Sequence, residues 1–212
     1  MKPAPTAYWE AFDMEKSFDD VVDFHRHLCL DIAMGFRIGK TLVREMGKEL
    51  RTMKDVFAIV ENETCAVDAI QEFTGCTMGK RNLILAGTGK PVYILQNTKS
   101  GVAVRVYCKY WETFDLDGAF GKRRKQASSP ETTTEDQQVF QRELNTKIKE
   151  ILRAPEETLF VVQRVTLPAP PKVGKYKAEA CAACGEHTHV ERLTVVNGKK
   201  LCRACQAVPT VS

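Results

Sequence analysis

The chain has 212 residues, of which 43% are hydrophobic and 27% are charged, and its formal net charge is +4. This composition excludes a disordered chain, and the length allows one domain of ordinary size plus a small one. The mild charge does not by itself indicate binding to nucleic acid or to an anionic membrane. No apolar run approaches the ~20 residues of a membrane-spanning helix. Residues 1–14 lack a basic segment followed by an apolar run, so we expect a cytoplasmic protein without a secretory signal.

The first part of the chain predicts two helices, a strand and a third helix. Ser17, followed by acidic residues, is typical of a helix start, and a second helix is predicted over residues 32–46. The short apolar run Val56–Val60 predicts a buried strand. After a turn, residues 65–73 show helical periodicity. Cys65 is therefore expected near a helix N-terminus, where the helix dipole favours a thiolate.

The rest of the first domain alternates strands and polar segments. Further strands are predicted over residues 83–86, 92–95, 102–107 and 159–165. Residues 118–134 are polar and are predicted to form an exposed loop, with the basic run at residues 122–125 as part of its solvated surface. A helix is predicted over residues 135–153. We assign residues 1–167 to this first domain.

The clearest motif lies in residues 178–212, after a proline-rich linker over residues 168–177. Two Cys-x-x-Cys pairs are separated by 17 residues: Cys181 with Cys184, and Cys202 with Cys205. Four thiolates in this spacing are typical of a closed structural zinc site, and a hairpin is predicted between the pairs. The expected reducing compartment argues against disulfides. Because four cysteines already satisfy the metal, His187 and His189 are interpreted as surface residues.

A second set of candidate ligands lies in the first domain. His25, His27 and Cys29 fall in one short segment, and Cys65 and Cys76 in another. If the first helix continues through the segment, His25 and Cys29 share one face; if it is irregular, His27 is equally suitable. Three protein ligands would leave an open, catalytic type of site, whereas four would make a structural one. The alternative is that these are ordinary buried thiols and surface histidines.

These two segments resemble the signature of the FmdE family, the E-subunit family of formylmethanofuran dehydrogenase. One family motif reads approximately His-Gly-His-x-Cys-Pro-Gly, and the other Cys-Ala-Val-Asp-Ala-Ile-Gln followed by Gly-Cys-Thr-x-Gly-Lys. Residues 65–71 match the second motif throughout, and the resemblance is strongest over residues 18–106. Arg26 stands where the family has Gly, and Leu30-Asp31 where it has Pro-Gly. These replacements would reshape or empty the first-domain site.

The resemblance implies an α+β fold, with a mixed sheet flanked by helices and a small treble-clef or zinc-ribbon domain. It also implies a zinc-binding accessory protein of molybdenum- or tungsten-dependent formylmethanofuran dehydrogenase, and thus a link to methanogenesis and one-carbon metabolism. The implied partners are the subunits of that enzyme. We expect zinc in the C-terminal site and a second zinc, or another transition metal, in the first domain.

Two other functions remain open. In an enzyme, Cys65 would be a reactive thiolate or a metal ligand, His25 or His27 a general acid–base, and Asp68 the residue that orients the histidine. In a nucleic-acid-binding regulator, the zinc module and the basic run would make the contacts, but the mild charge disfavours this function. A homodimer is possible because two-fold dimers are common. No membrane partner is expected.

Overall fold

A five-stranded mixed sheet forms the centre of the first part of the computed structural model, which describes residues 16–50, 55–170 and 177–207. The strands are β1 (Val56–Val60), β2 (Leu83–Leu85), β3 (Val92–Asn97), β4 (Val102–Cys108) and β5 (Phe160–Thr166). Their order is β2-β1-β3-β4-β5, in which β1 and β2 run parallel and all other neighbours antiparallel. The predicted α+β class with a mixed sheet is therefore confirmed.

The chain divides into two compact units, residues 1–170 and 171–212. The helices of the first unit are α1 (Phe18–His25), α2 (Leu30–Met46), α3 (Ala66–Thr74), α4 (Ala119–Ala127), α5 (Thr134–Arg153) and α6 (Glu156–Leu159). Across the described segments, no helix is long and apolar enough to cross a membrane. The finer domain limits stay predictions, since residues 171–176 of the predicted linker lie outside the described residues.

Local capping explains where several helices begin and end. Ser17 and Asp20 form a capping box at the start of α1, in which the Asp20 amide donates to the Ser17 hydroxyl at 3.1 Å. Thr133 and Asp136 repeat the arrangement at the start of α5. At the end of α3, Gly75 takes a left-handed conformation with φ of 61°. These contacts satisfy backbone groups that a helix end otherwise leaves unpaired.

Helix α2 packs closely on α3 because two of its positions carry no side chain. A Cβ atom at Gly35 would lie 2.7 Å from the Cα atom and the carbonyl oxygen of Ala66, and one at Gly39 would lie 2.5 Å from the Phe73 ring. Real Cβ atoms do not approach other atoms so closely, so the two glycines set the distance between the helices. Ala66 is the first residue of α3 and follows Cys65, so this packing also positions Cys65.

The main core lies between one face of the sheet and the helices. Its largest fully buried side chains on α2 are Ile32, Met34, Ile38, Leu42 and Met46. The sheet contributes alternate residues, as expected for one face of a pleated sheet: Val56, Ala58, Val60, Tyr93, Leu95, Val104, Val106 and Cys108. A smaller apolar cluster, centred on Val92, Ile94 and Ala103, lies on the other face.

Three polar residues of α2 hold the end of α5. The Arg37 guanidinium donates to the carbonyl oxygens of Ile151 and Ala154 at 2.6 and 2.8 Å, which pairs carbonyls that the helix end leaves free. Arg44 donates through both terminal nitrogens to the Glu156 carboxylate, each at 2.7 Å, and the Thr41 hydroxyl also donates to it. The bond from Arg44 holds the pKa of Glu156 below its ordinary value.

The predicted loop over residues 118–134 is wrong in its first half, where the chain forms α4. The segment has one apolar anchor, the buried Phe120, so it shows no amphipathic period. Its start is fixed by the Asp115 carboxylate, which accepts from the backbone amides of Phe120 and Gly121 at 2.7 and 2.8 Å. Arg123 pairs with Glu143 on α5. The basic run therefore lies on a helix, and lysine, arginine and glutamine are good helix formers.

The second unit contains two short hairpins and one short helix. Its elements are β6 (Ala178–Ala180), β7 (His187–His189), β8 (Leu193–Val196), β9 (Lys199–Cys202) and α7 (Arg203–Ala207). β6 pairs antiparallel with β7, and β8 with β9. The β8–β9 turn consists of Asn197 and Gly198, with φ of 48° and 75°. Positive φ at both turn residues suits a two-residue hairpin, and the predicted hairpin is confirmed.

Candidate metal centres

The first candidate centre begins where α1 ends. Arg26 takes a left-handed conformation with φ of 73°, and its amide donates to the Val22 carbonyl at 2.7 Å. The helix therefore stops at His25, and the segment that carries His27 is irregular. This outcome matches the second of the two alternatives left open by the sequence. His27 becomes available to the same site as His25 because the turn brings the two rings together, with centroids 4.2 Å apart.

Both thiols of the centre lie at helix N-termini. Cys29 is the N-cap of α2, and its Sγ accepts a hydrogen bond from the Ile32 amide at 3.4 Å. Cys65 is the N-cap of α3. The positive end of a helix dipole favours negative charge, so the fold presents both sulfurs where a thiolate is favoured. The two helices are those brought into close contact by the glycines of α2.

The ligand atoms of His25, His27, Cys29 and Cys65 all lie within 4.8 Å of one another. Within this group, His25 Nε2 is 3.9 Å from Cys29 Sγ. The other ring nitrogen of His25, Nδ1, is 2.7 Å from Asp68 Oδ2, and the second Asp68 oxygen accepts from Gln71 at 3.1 Å. A carboxylate on the far nitrogen fixes a histidine for metal binding. Asp68 thus lies where the sequence placed an orienting residue.

Burial raises the pKa of the Cys29 thiol to about 12, against the opposing effect of the Ile32 amide. Without a cation beside it, this thiol keeps its proton at neutral pH. A metal ion must therefore displace the proton when it binds, since the thiolate is the ligand form. Metal binding to the centre should release protons and strengthen as the pH rises.

The replacements at Arg26 and Leu30-Asp31 leave the four ligand atoms grouped. Leu30 is the first residue of α2 and is buried, and Asp31 follows in the first turn, where an acidic residue suits the helix dipole. Burial raises the pKa of Asp31, while the charges of Arg124 and His25 oppose the shift. The sequence predicted a reshaped or empty site from these replacements, and its ligand geometry is retained.

Cys76 is not brought into the group. Its side chain is fully buried, and its thiol donates to the Val56 carbonyl at 3.7 Å. The prediction that Cys76 could complete the site from the loop after α3 thus has no support in the geometry. The loop turns under the sheet, which directs Cys76 into the core. Cys108 is also buried there, as its alternating strand pattern predicted.

A polar network supports the turn before Cys65 and was not foreseen from the sequence. The Tyr93 hydroxyl is within 3.1 Å of Asn62 Oδ1 and 3.2 Å of Thr64 Oγ1, and Asn62 donates to the Lys90 carbonyl at 3.0 Å. Burial raises the pKa of Tyr93 to about 12, so the hydroxyl stays neutral and can donate. An Asn two residues before a Thr in a turn is the local signal for such a network.

The second candidate centre consists of Cys181, Cys184, Cys202 and Cys205, whose sulfurs also lie within 4.8 Å of one another. Backbone amides of Cys184, Cys202 and Ala183 lower the pKa of Cys181 to about 6, which favours its thiolate. All eight cysteines of the chain are free thiols. His187 is exposed as predicted, but the His189 side chain is only 12% exposed, so its assignment to the surface is wrong.

The donor chemistry of both centres fits zinc. Four thiolates make the closed set of a structural site, and two thiolates with two imidazoles are equally suitable for a borderline-soft dication in tetrahedral geometry. A bound zinc ion would supply folding energy in the second unit, which is too small for a large core of its own. In the first centre it would act as a Lewis acid wherever a ligand position is free.

Comparisons with known proteins agree with these two centres. Residues 24–161 match the family model described as FmdE, molybdenum formylmethanofuran dehydrogenase operon. Residues 174–210 match the prokaryotic dksA/traR C4-type zinc finger, which includes all four cysteines of the second centre. The C-terminal unit is thus a zinc-finger-type unit, as the cysteine spacing predicted.

Two individual proteins are similar to the chain. A probable S-adenosyl-L-methionine-binding protein of Archaeoglobus fulgidus is 31% identical over 174 residues, which cover 77% of this chain and 46% of the relative. The chain thus spans a little under half the length of this curated relative. A tungsten formylmethanofuran dehydrogenase FmdE-like protein of Syntrophus aciditrophicus has a TM-score of 0.60 at 21% identity, covering 92% of this chain and 94% of its own, and shows the shared fold. With 138 residues matched by the family model, the chain belongs to the FmdE family and carries a C-terminal dksA/traR-type zinc finger.

Proposed function

We propose that this protein binds two metal ions, a structural zinc in the finger and a second zinc or similar ion at His25, His27, Cys29 and Cys65. We further propose that it serves as an accessory protein of a formylmethanofuran dehydrogenase-type enzyme. The observation that carries the metal proposal is the grouping of four ligand atoms within 4.8 Å, although they come from different elements. A homodimer stays a prediction.

The surroundings of the first centre support metal binding over a chance grouping of thiols and histidines. His25 is 8% exposed and its Nδ1 is engaged by Asp68, so its Nε2 faces Cys29. Cys29 and Cys65 lie at two helix N-termini. A buried histidine with a carboxylate on its far nitrogen is the usual outer-shell arrangement of a metal ligand. Ordinary core thiols would not need it.

The proposed partner rests on the family and on the names of similar proteins. The matching family model is described by the molybdenum formylmethanofuran dehydrogenase operon, and the structural neighbour is named as an FmdE-like protein of the tungsten enzyme. An accessory role suits a small chain in which the metal donors are imidazoles and thiolates. Purified dehydrogenase subunits should co-elute with the full chain in size-exclusion chromatography, and separate elution would contradict this role.

The metal proposal is tested by zinc content per chain after anaerobic purification. We expect two zinc ions in the full chain and one in the Cys65→Ala variant, because the loss of one thiolate opens the first centre. Cys76→Ala is the matched control, since its thiol is buried away from the group, and it should keep both ions. One zinc ion in wild type and in Cys65→Ala alike would refute a metal centre in the first unit.

A second candidate function is an enzyme that uses the first centre. The observation in its favour is the His25–Asp68 pair, at 2.7 Å, beside the thiol pair. Such a pair can act as a general acid–base next to a nucleophilic thiolate. The rate of Cys65 alkylation in metal-free protein tests it as a function of pH. An apparent pKa near the ordinary value of ~8.5 would show a thiol that is not activated.

A further inference from the structure

We propose, on the basis of the metal centre in the first unit, that His27 is its exchangeable ligand and that a small thiol takes its place. The resting centre would then have two histidine and two cysteine ligands. The occupied centre would have one histidine and two cysteines, with the external sulfur in the fourth position. Two cysteines and one histidine with one free position are typical of catalytic zinc, whereas four protein ligands make a closed site.

The four ligands differ in how firmly the fold holds them. His25 is held by Asp68 and is largely buried, and Cys29 is held by the Ile32 amide at the start of α2. Cys65 is fixed by α3. His27 is exposed, lies in the bend between α1 and α2, and has the His25 ring as its neighbour. His27 can therefore move into solvent without disturbing a helix.

The ligand that displaces His27 must be a stronger donor to this metal than a tethered imidazole. Two thiolates and an imidazole select a borderline-soft ion, for which carboxylate and water are weaker donors than thiolate. The exposed Arg26 follows His25 directly and adds positive charge at the rim, which favours an anionic donor. A small thiolate meets both conditions, and a carboxylate meets only the second.

The exchange balances without an additional reactant. The bond between the metal ion and the His27 ring nitrogen breaks, and a bond from the metal ion to the external sulfur forms. The thiol proton passes to the freed His27 imidazole, which at neutral pH can share it with solvent. No electron is transferred, and the charge of the protein with its bound thiol does not change.

Cobalt(II) in place of zinc makes this exchange visible in the full chain. The Cys65→Ala variant gives the spectrum of the finger alone, and its difference from wild type gives the first centre. Mercaptoacetate is the probe and acetate is its control without sulfur. We expect mercaptoacetate to increase the sulfur-to-cobalt charge-transfer absorption of the difference spectrum to saturation, as two thiolates become three. Acetate should not change it.

The His27→Ala variant separates an exchangeable ligand from a required one. It should keep its cobalt and saturate at roughly tenfold lower mercaptoacetate, because the tethered competitor is gone. His187→Ala, which removes an exposed histidine of the finger, should titrate like wild type. Loss of cobalt from His27→Ala to the level of Cys65→Ala would overturn the inference.

Two further outcomes separate this inference from the metal proposal beneath it. Cobalt in the first centre that does not respond to mercaptoacetate, or responds equally to acetate, would overturn the exchange and leave the metal proposal standing. A wild-type spectrum that equals that of Cys65→Ala before any thiol is added would overturn both, because the first centre would then hold no metal.

Discussion

The two candidate centres reach similar geometry by different routes. In the finger, the sulfurs come from two short Cys-x-x-Cys segments, and the surrounding unit has a small core. In the first unit, the ligands come from the end of α1 and the starts of α2 and α3, and a large buried core exists without them. The comparison teaches that the finger depends on its metal for folding, whereas the first centre depends on the fold for its metal.

Metal removal should give the largest contrast between the two units. A chelator should unfold the finger, because the binding energy of a structural zinc, about 10–16 kcal/mol in finger peptides, is also its folding energy. The first unit should keep its helices and sheet. Amide hydrogen exchange of the full chain with and without chelator measures both. Equal loss of protection in residues 30–46 and 193–202 would contradict the distinction.

Gly35→Ala should damage the fold and the first centre together. The added Cβ would overlap Ala66 and must push α3 away, which should destabilise the first unit by about 1–3 kcal/mol. Because Cys65 precedes α3, the affinity of the first centre for zinc should fall as well. Gly79→Ala is the control, since a Cβ there meets nothing within 4 Å. Denaturant unfolding and zinc titration provide the two measurements.

Asp68→Asn should weaken the first centre without unfolding it. The substitution keeps the size of the side chain but removes the charge on His25 Nδ1, and such changes typically reduce metal affinity roughly 10–100-fold. Zinc competition with a chromophoric chelator measures the change. The finger should keep its affinity in the same experiment. An unchanged affinity of the first centre would show that Asp68 does not support His25 as a ligand.

Glu156→Gln should lower stability only where the carboxylate is ionised. Arg44 depresses the pKa of Glu156 in the folded chain, so the folded state favours the charged form. The contribution is present above the unfolded value of 4.5 and is lost as the pH falls through the folded pKa. For a partly exposed pair we expect less than about 1 kcal/mol. Urea unfolding at pH 7 and pH 3 should show a difference only at the higher pH.

Arg26→Gly should have the smallest effect and the opposite sign. Arg26 has a left-handed backbone, which is unfavourable by roughly 1–2 kcal/mol for a residue with a Cβ, although glycine loses part of the gain through its flexible unfolded chain. A small increase in the free energy of unfolding is expected, with zinc content unchanged. A gain of zinc in the variant would mean that Arg26 had excluded the metal.

The sequence was most informative where structure is local. The zinc finger followed from the spacing of four cysteines, and its hairpin from Asn197 and Gly198. Val56–Val60 was predicted at its observed limits because a short apolar run between polar segments is typical of a buried strand. Each of these features depends on neighbours within a few residues.

The sequence could not settle features that depend on distant contacts. The choice between His25 with Cys29 and a role for His27 depended on a left-handed Arg26, which is rare for arginine. Cys76 was grouped with the ligands because it follows the motif, but its side chain direction is set by the core. Helix α4 was missed because its start is fixed by Asp115 and its position by α5.

The measurement that tests the central claim most directly is zinc-edge X-ray absorption on the full chain as purified. If both centres hold zinc, the average shell is three sulfurs and one nitrogen per zinc, because a set of four cysteines is averaged with a set of two histidines and two cysteines. At about 2.3 Å for sulfur and 2.0 Å for nitrogen, the two donors are resolved. A shell of four sulfurs alone would place all zinc in the finger and contradict a metal centre in the first unit.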